Sequence, residues 1–216
     1  MIKAEHQTRA ELIFNPYINY LLRKNFNSFY IKGVPPDLDK YPGLIITPNH
    51  FSWWDGFITH FLLSKLTRKI VFTMMLEEQL KKYWFFKKVG AYSINVSNPV
   101  SMVRTLDYTR TILNDKNNIV VLYPQGEIQS LLSENIAIKP GLKFIIEKNS
   151  DRNYVLPLAL KIEYGRNKKP DIAASFGRIY SAEEIYGDYD VFKKGFIDNI
   201  KRLNALSDFA ECRTLF

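Results

Sequence analysis

Short apolar runs alternate with stretches of helical spacing along most of this chain. That alternation restricts the fold more than any other feature. Residues 44–47, 70–73, 91–95, 119–122, 155–162 and 172–176 read as strands. Residues 56–66, 99–113, 141–148 and 191–206 carry apolar groups at helical spacing. Strands that take turns with helices predict an α/β fold: a mixed, mostly parallel central sheet flanked by helices. Pro157 interrupts one apolar run, which points to an edge strand, a bulge or a bend near a loop. No internal repeat, low-complexity tract or obvious linker divides the chain. At 216 residues it is long enough for one domain with a full core.

The N-terminal part differs in character. Residues 11–30 place Phe14, Tyr17 or Ile18, Leu21 or Leu22, Phe26 and Phe29 at helical spacing, with Arg23 and Lys24 among them. This predicts an amphipathic helix, or two short ones broken near Pro16, closed by Gly33-Val34-Pro35-Pro36. The expected organisation is therefore an N-terminal amphipathic helical region over 1–32 and a single α/β domain over 33–216.

The charge balance suggests partners. Lys and Arg number 30 against 22 Asp and Glu, a net +8, and such a chain favours anionic partners. Lys81-Lys82-Tyr83-Trp84-Phe85-Phe86-Lys87-Lys88 mixes rings with ammonium groups. That mixture suits the headgroup layer of a bilayer, where rings bury and amines stay wet. It also suits stacking on nucleobases, or a helix with rings turned inward and lysines outward. No nucleic-acid-binding module accompanies it, so nucleic acid is not expected as a partner. The expected membrane contacts are Phe14, Ile18, Leu21, Trp84 and Phe85. No stretch has the length and apolarity of a spanning helix, and no secretory signal is visible. Cys212 is the only cysteine, so no internal disulfide forms and a cysteine-rich metal site is excluded. The expected location is the cytoplasmic face of a membrane, peripheral or monotopic.

The segment with the most chemistry is Asn49-His50-Phe51-Ser52-Trp53-Trp54-Asp55, between the run 44–47 and the helix 56–66. A histidine at a strand mouth can act as a general base near neutral pH, and a carboxylate can fix its tautomer and stabilise its charge. On a continuous helix five residues turn by about 500°, leaving the two side chains roughly 140° apart. If they cooperate, the chain must turn around Phe51 and Ser52 first. Ser52-Trp53-Trp54-Asp55 also fits a capping box, in which Asp55 only caps a helix. A second polar segment, Tyr123-Pro124-Gln125-Gly126-Glu127-Ile128-Gln129-Ser130, follows the run 119–122. Loops at strand ends are where α/β sheets gather function. Here Pro124 ends the strand and Gly126 permits a close backbone approach, which a plain solvated turn would also do.

Together these segments resemble the phospholipid/glycerol acyltransferase family. Asn49, His50, Ser52 and Asp55 match its Asn-His-x-Ser-x-x-Asp motif in full. Tyr123-Pro124-Gln125-Gly126 resembles the first half of its Phe-Pro-Glu-Gly-Thr-Arg-Ser motif, and Val155-Leu156-Pro157-Leu158 its apolar strand with a proline. Gly90-Ala91-Tyr92-Ser93-Ile94 falls where the family has its second motif. The resemblance runs from about 49 to about 176. It implies an acyltransferase of lipid metabolism in which His50 is the base, Asp55 orients it, and the substrate hydroxyl is the nucleophile. Asn49, Ser52, Tyr123, Pro124, Gln125, Gly126 and Glu127 are the implied substrate-binding residues, with backbone N–H groups near Gly126 stabilising an oxyanion or placing the donor. No metal and no cofactor are implied; the donor is acyl-CoA or an acidic acyl carrier protein.

The departures bear on the acceptor. Val96 and Ile128 stand where the family carries arginines thought to hold a phosphate, Gln125 replaces a glutamate, and Glu127 replaces a threonine. An aliphatic side chain cannot make a bidentate phosphate contact. The acceptor is expected to be lysophosphatidate or a neutral glycolipid or other hydroxyl lipid. A non-catalytic lipid-binding relative is the alternative, against which the intact His50 and Asp55 argue.

Overall fold

The computed structural model describes residues 1–131, 133, 135–146 and 153–216. The chain enters through α1 (Thr8–Asn25) and β1 (Phe29–Lys32). A 3₁₀ turn at Leu38–Lys40 then leads into β2 (Leu44–Pro48) and α2 (Asp55–Leu66). Next come β3 (Ile70–Leu76), α3 (Glu77–Lys82), a second 3₁₀ segment at Trp84–Val89, and β4 (Ala91–Ile94). α4 (Pro99–Leu113), β5 (Asn118–Val121), α5 (Gly141–Ile146) and β6 (Tyr154–Glu163) follow. The last elements are β7 (Asp171–Phe176), β8 (Tyr180–Ser181), α6 (Ala182–Gly187), α7 (Tyr189–Asn204) and β9 (Arg213–Thr214).

The strands form one nine-stranded sheet in the order β4-β3-β5-β2-β6-β7-β1-β9, with β8 also paired to β6. The pairs from β4 through β6 are parallel, β6 and β7 are antiparallel, and β1 runs parallel to β7. This is the mixed, mostly parallel sheet expected. Every predicted strand is present. Three short ones (β1, β8 and β9) are added, and the predicted helix 141–148 runs beyond Ile146 into residues outside those described.

Burial on both faces explains why the strands read as unbroken apolar runs. Along β2, Leu44 and Ile46 pack with α1 and α2 residues such as Ile18, Leu22 and Ile58. Ile45 faces the opposite core, with Val120, Val155, Phe192 and Phe196. Local signals set the helix ends. Asn98 accepts a hydrogen bond from the Ser101 N–H at 2.9 Å, and Pro99 opens α4 where its missing donor costs nothing. Gly90 turns the chain into β4 at φ 96°, and a Cβ there would lie 2.2 Å from the carbonyl oxygen of Val71. Only glycine fits that approach.

Several expectations are corrected. α1 is one helix with Pro16 inside it. Its stripe Phe14, Ile18 and Leu22 is buried in the main core, and β1 pairs with β7, so residues 1–32 share the packing of the rest of the chain. Phe14 and Ile18 are therefore not surface contacts, and Leu21 packs against the same core. The outer face of α1 instead exposes Leu12, Ile13, Tyr17 and Tyr20, with Ile13 at 77%. Trp84 and Phe85 are exposed as expected. Pro157 lies on a central strand, not an edge. Its carbonyl accepts from Gly177 N at 2.8 Å, so the missing N–H faces the interval where the partner of β6 changes from β8 to β7. No ladder bond to β2 is lost there.

Candidate active site

β2 and β5 are parallel neighbours, with Leu44, Ile45 and Ile46 in register with Ile119, Val120 and Val121. Their C-terminal ends therefore lie side by side, and the two polar segments that follow them meet. This is why stretches more than 70 residues apart in the chain form one site, as shown by the contact between His50 and Gln125.

The turn begins with Asn49. Its side-chain oxygen accepts from Leu160 N at 2.6 Å and its amide donates to Leu160 O at 3.0 Å. A side chain thus continues the pairing of β2 with β6 where the backbone would otherwise do so, and the chain is free to leave the sheet at His50. Both ends of the amide are engaged and the residue is buried, so Asn49 holds the turn. Ser52 has a local role too: its hydroxyl accepts from Trp54 N at 2.9 Å.

Asp55 starts α2 and is fully buried. Its Oδ2 accepts from His50 Nδ1 at 2.8 Å, from Phe51 N at 2.7 Å and from Ser52 N at 2.9 Å. The same oxygen that orients the histidine also accepts the reach-back bond of a capping box, from Ser52 N, but the N-cap of α2 is Trp54, which makes no side-chain cap. The chain does turn at Phe51 and Ser52, and the bonds from their N–H groups set the turn. Burial pushes the Asp55 carboxyl above the ordinary carboxylate range; the bonds from His50, Ser52 and Phe51 pull it back in part. With Nδ1–H committed to Asp55, the lone pair of His50 sits on Nε2, the atom a general base uses. The His50 side chain keeps 27% of its surface, enough to meet a substrate.

The loop after β5 completes the surroundings of His50. The Tyr123 ring lies against the imidazole, with centroids 4.7 Å apart. Its hydroxyl donates to Thr59 on α2 at 3.4 Å, and burial first, then the nearby Asp55, raises its pKa. Pro124 is buried and accepts from Lys139 N at 2.8 Å. Gln125 is buried and accepts the His50 backbone N–H at 2.5 Å. Gly126, at φ 71°, donates its N–H to Tyr123 O at 3.1 Å. That donor closes a turn, so it is not free to stabilise an oxyanion as the sequence suggested. Glu127 is exposed, 3.7 Å from Lys139 Nζ. Val96 and Ile128 are exposed apolar residues. Gln129, to which no role was assigned from sequence, donates its backbone N–H to His50 O at 2.9 Å. Nothing in its residue type signals this, because the bond is made by the main chain.

The arrangement is a histidine oriented by a buried carboxylate at the C-terminal edge of a mostly parallel sheet. A similar fold is found in the 1-acyl-sn-glycerophosphate (LPA) acyltransferase PlsC from Thermotoga maritima. That structure superposes with a TM-score of 0.61 at 11% sequence identity, over 91% of this chain and 80% of the other. A comparison with curated protein sequences returns no match. The sequence profile of the Acyltransferase family matches residues 33–161, which span every residue of the site described above. The chain is an enzyme that belongs to the acyltransferase family.

Proposed function

We propose that this acyltransferase moves a fatty acyl group from acyl-CoA or acyl carrier protein to the hydroxyl of a lipid, at a membrane surface. The observation that carries the proposal is the 2.8 Å pair of His50 Nδ1 with the buried Asp55. His50 Nε2 takes the proton of the acceptor hydroxyl as its oxygen attacks the thioester carbonyl. The tetrahedral intermediate collapses with cleavage of the C–S bond, and the leaving thiolate receives the proton from the imidazolium. Asp55 stabilises that imidazolium while it lasts. The net charge of +8 suits either anionic donor.

The acceptor is a hydroxyl lipid, with lysophosphatidate and neutral glycolipids as the two classes to compare. A hydrogen bond to a charged group contributes about 1.5–3 kcal/mol. Two lost with the absent arginines would cost roughly 3–6 kcal/mol, or two to four orders of magnitude in binding. The exposed, apolar Val96 and Ile128 therefore favour a neutral headgroup. Mass spectrometry of lipids after incubation with labelled palmitoyl-CoA should show transfer to neutral glycolipids at least as efficient as to lysophosphatidate. Selective use of lysophosphatidate would refute the neutral-acceptor preference and leave acyl transfer standing.

Attachment to the membrane is proposed through the outer face of α1 and the rings beside it. Leu12, Ile13, Tyr17 and Tyr20 are exposed, as are Trp53, Trp84 and Phe85. The inner ring Phe14 contacts Phe57 and Phe85, which links α1 to α2 and to the 3₁₀ segment. Among the described residues no helix is long and apolar enough to cross a membrane, so interfacial insertion is the mode proposed. Fully burying one Leu or Ile contributes about 1.5–3 kcal/mol. Ile13→Ser with Leu12→Ser is expected to weaken sedimentation with anionic vesicles at least tenfold while leaving the fold intact. Ile18→Ser should instead destabilise the protein, because Ile18 is core. Equal vesicle binding by the wild type and the double variant would remove α1 from the proposal.

A further inference from the structure

The main chain of His50 is held at both its N–H and its C=O by one loop. Its N–H donates to Gln125 Oε1 at 2.5 Å, and its C=O accepts from Gln129 N at 2.9 Å. The loop is itself closed on its far side. Lys139 N donates to Pro124 O at 2.8 Å, and the Gln129 side chain bonds both the N–H and the C=O of Ala137, at 3.0 and 3.2 Å. The stem of Lys139 lies over Gly126, where a Cβ would come within 3.1 Å of Lys139 Cγ. The described residues between Tyr123 and Lys139 thus form a strap, closed at Pro124–Lys139 and Gln129–Ala137, whose inner side grips the backbone of the base.

We infer that Gln125 is a positioning residue for His50: its buried side-chain oxygen fixes the His50 main chain, and through it the imidazole, without adding a charge to the site. The inference rests on the reading of His50 as the base. Beside the Gln129 bond to its C=O, two side chains hold the residue. Asp55 sets the ring from the α2 side through Nδ1, and Gln125 sets the backbone from the β5 side. Without Gln125 the loop would hold the His50 main chain only at its carbonyl, and the imidazole would gain freedom to pivot about the Asp55 oxygen. A small displacement of a base from its reacting atom is costly in rate, because proton transfer needs heavy-atom distances of about 2.6–3.2 Å.

The neutrality matters as much as the bond. A carboxylate could accept the same N–H. Yet Asp55 is already buried beside His50, and its Oδ1 has no hydrogen-bond partner among the described residues. The groups that face His50 are Asp55 from α2, Tyr123 from the strap, and, through Asn49, the neutral backbone of β6. Gln125 is 3% exposed, so a second carboxylate at this place would be poorly screened. It would favour the imidazolium and make His50 a base only at higher pH.

The test compares Gln125→Met and Gln125→Glu with the wild type and His50→Ala, in the full-length protein. The reaction is followed as thiol release from palmitoyl-CoA with lysophosphatidate and with a monoacylglycerol. Gln125→Met is expected to lower kcat about 10- to 100-fold, with KM within about twofold, because the geometry of the base and not substrate binding is disturbed. Gln125→Glu keeps the acceptor, so most of kcat should return at high pH, while the acid limb of kcat/KM moves up by about one pH unit. A readout independent of substrate is the downfield proton NMR signal of His50 Nδ1–H, identified by its loss in His50→Ala. It should broaden or shift in Gln125→Met. Wild-type kcat and an unchanged signal in Gln125→Met would overturn the inference, and an unchanged pH profile in Gln125→Glu would overturn its electrostatic half. Retained activity in His50→Ala would instead overturn the reading of the base, a result no Gln125 variant can produce.

Discussion

Replacing His50 with alanine is expected to lower acyl transfer by about 10²–10⁴-fold, the contribution of a positioned general base. The residual rate should no longer depend on pH across the range where a histidine titrates. The loss is not a folding defect. His50 is partly exposed, its backbone bonds to Gln125 and Gln129 do not involve the ring, and Asn49 still ties the turn to Leu160. Far-ultraviolet circular dichroism should match the wild type. Some stability is lost, because the buried Asp55 keeps only its bonds from Phe51 and Ser52. A bond of that kind contributes about 1.5–3 kcal/mol. Single-turnover measurements with labelled palmitoyl-CoA are the check, and a variant with near wild-type turnover would end the mechanism proposed here.

Asp55→Asn should be impaired to a similar order but for another reason. The amide oxygen can still accept the Phe51 and Ser52 N–H groups, so the turn survives. What disappears is the negative charge that stabilises the imidazolium as the proton moves. The effect should fall mainly on kcat.

This variant also makes a prediction about stability. Burial raises the Asp55 pKa in the folded state above its ordinary value. A raised pKa means that the folded state binds more protons than the unfolded state as the group titrates. Its contribution is therefore fully present below the ordinary carboxylate range and is lost as pH rises through the folded value. Asparagine does not titrate. The stability of the wild type relative to Asp55→Asn should thus decline from about pH 4 towards neutrality, as read by denaturant unfolding at several pH values. A difference that grows with pH would show that the bonds to Asp55 outweigh its burial.

The membrane face shows where sequence pattern reaches its limit. A helix with apolar residues on two sides gives one periodic signal, and either side can be the one that docks. Phe14, Ile18 and Leu21 read as interfacial contacts because nothing in α1 itself says that α2 and the sheet lie against them. Leu12, Ile13, Tyr17 and Tyr20 are the side left outside. The bonds of Asn49 were hidden from the sequence for a related cause. It belongs to the motif, but its work is to pair with Leu160, more than 100 residues away. Residue type reveals that an amide is needed, not which partner it meets.

By itself the sequence determined the strand-and-helix alternation, because periods of two and of 3.6 residues are written in the side chains. It also brought His50 and Asp55 forward as a candidate pair, because they are close in the chain and a turn at Phe51 and Ser52 suffices to join them. Only the tertiary structure decided which faces are core, that Pro157 can sit on a central strand, and that the loop after β5 grips His50 from both sides. Those outcomes depend on strands distant in the chain becoming neighbours, as β2 and β5 do across α2, β3, α3, β4 and α4. Such pairing is set by how the whole sheet buries its two faces, and no local window of sequence contains it.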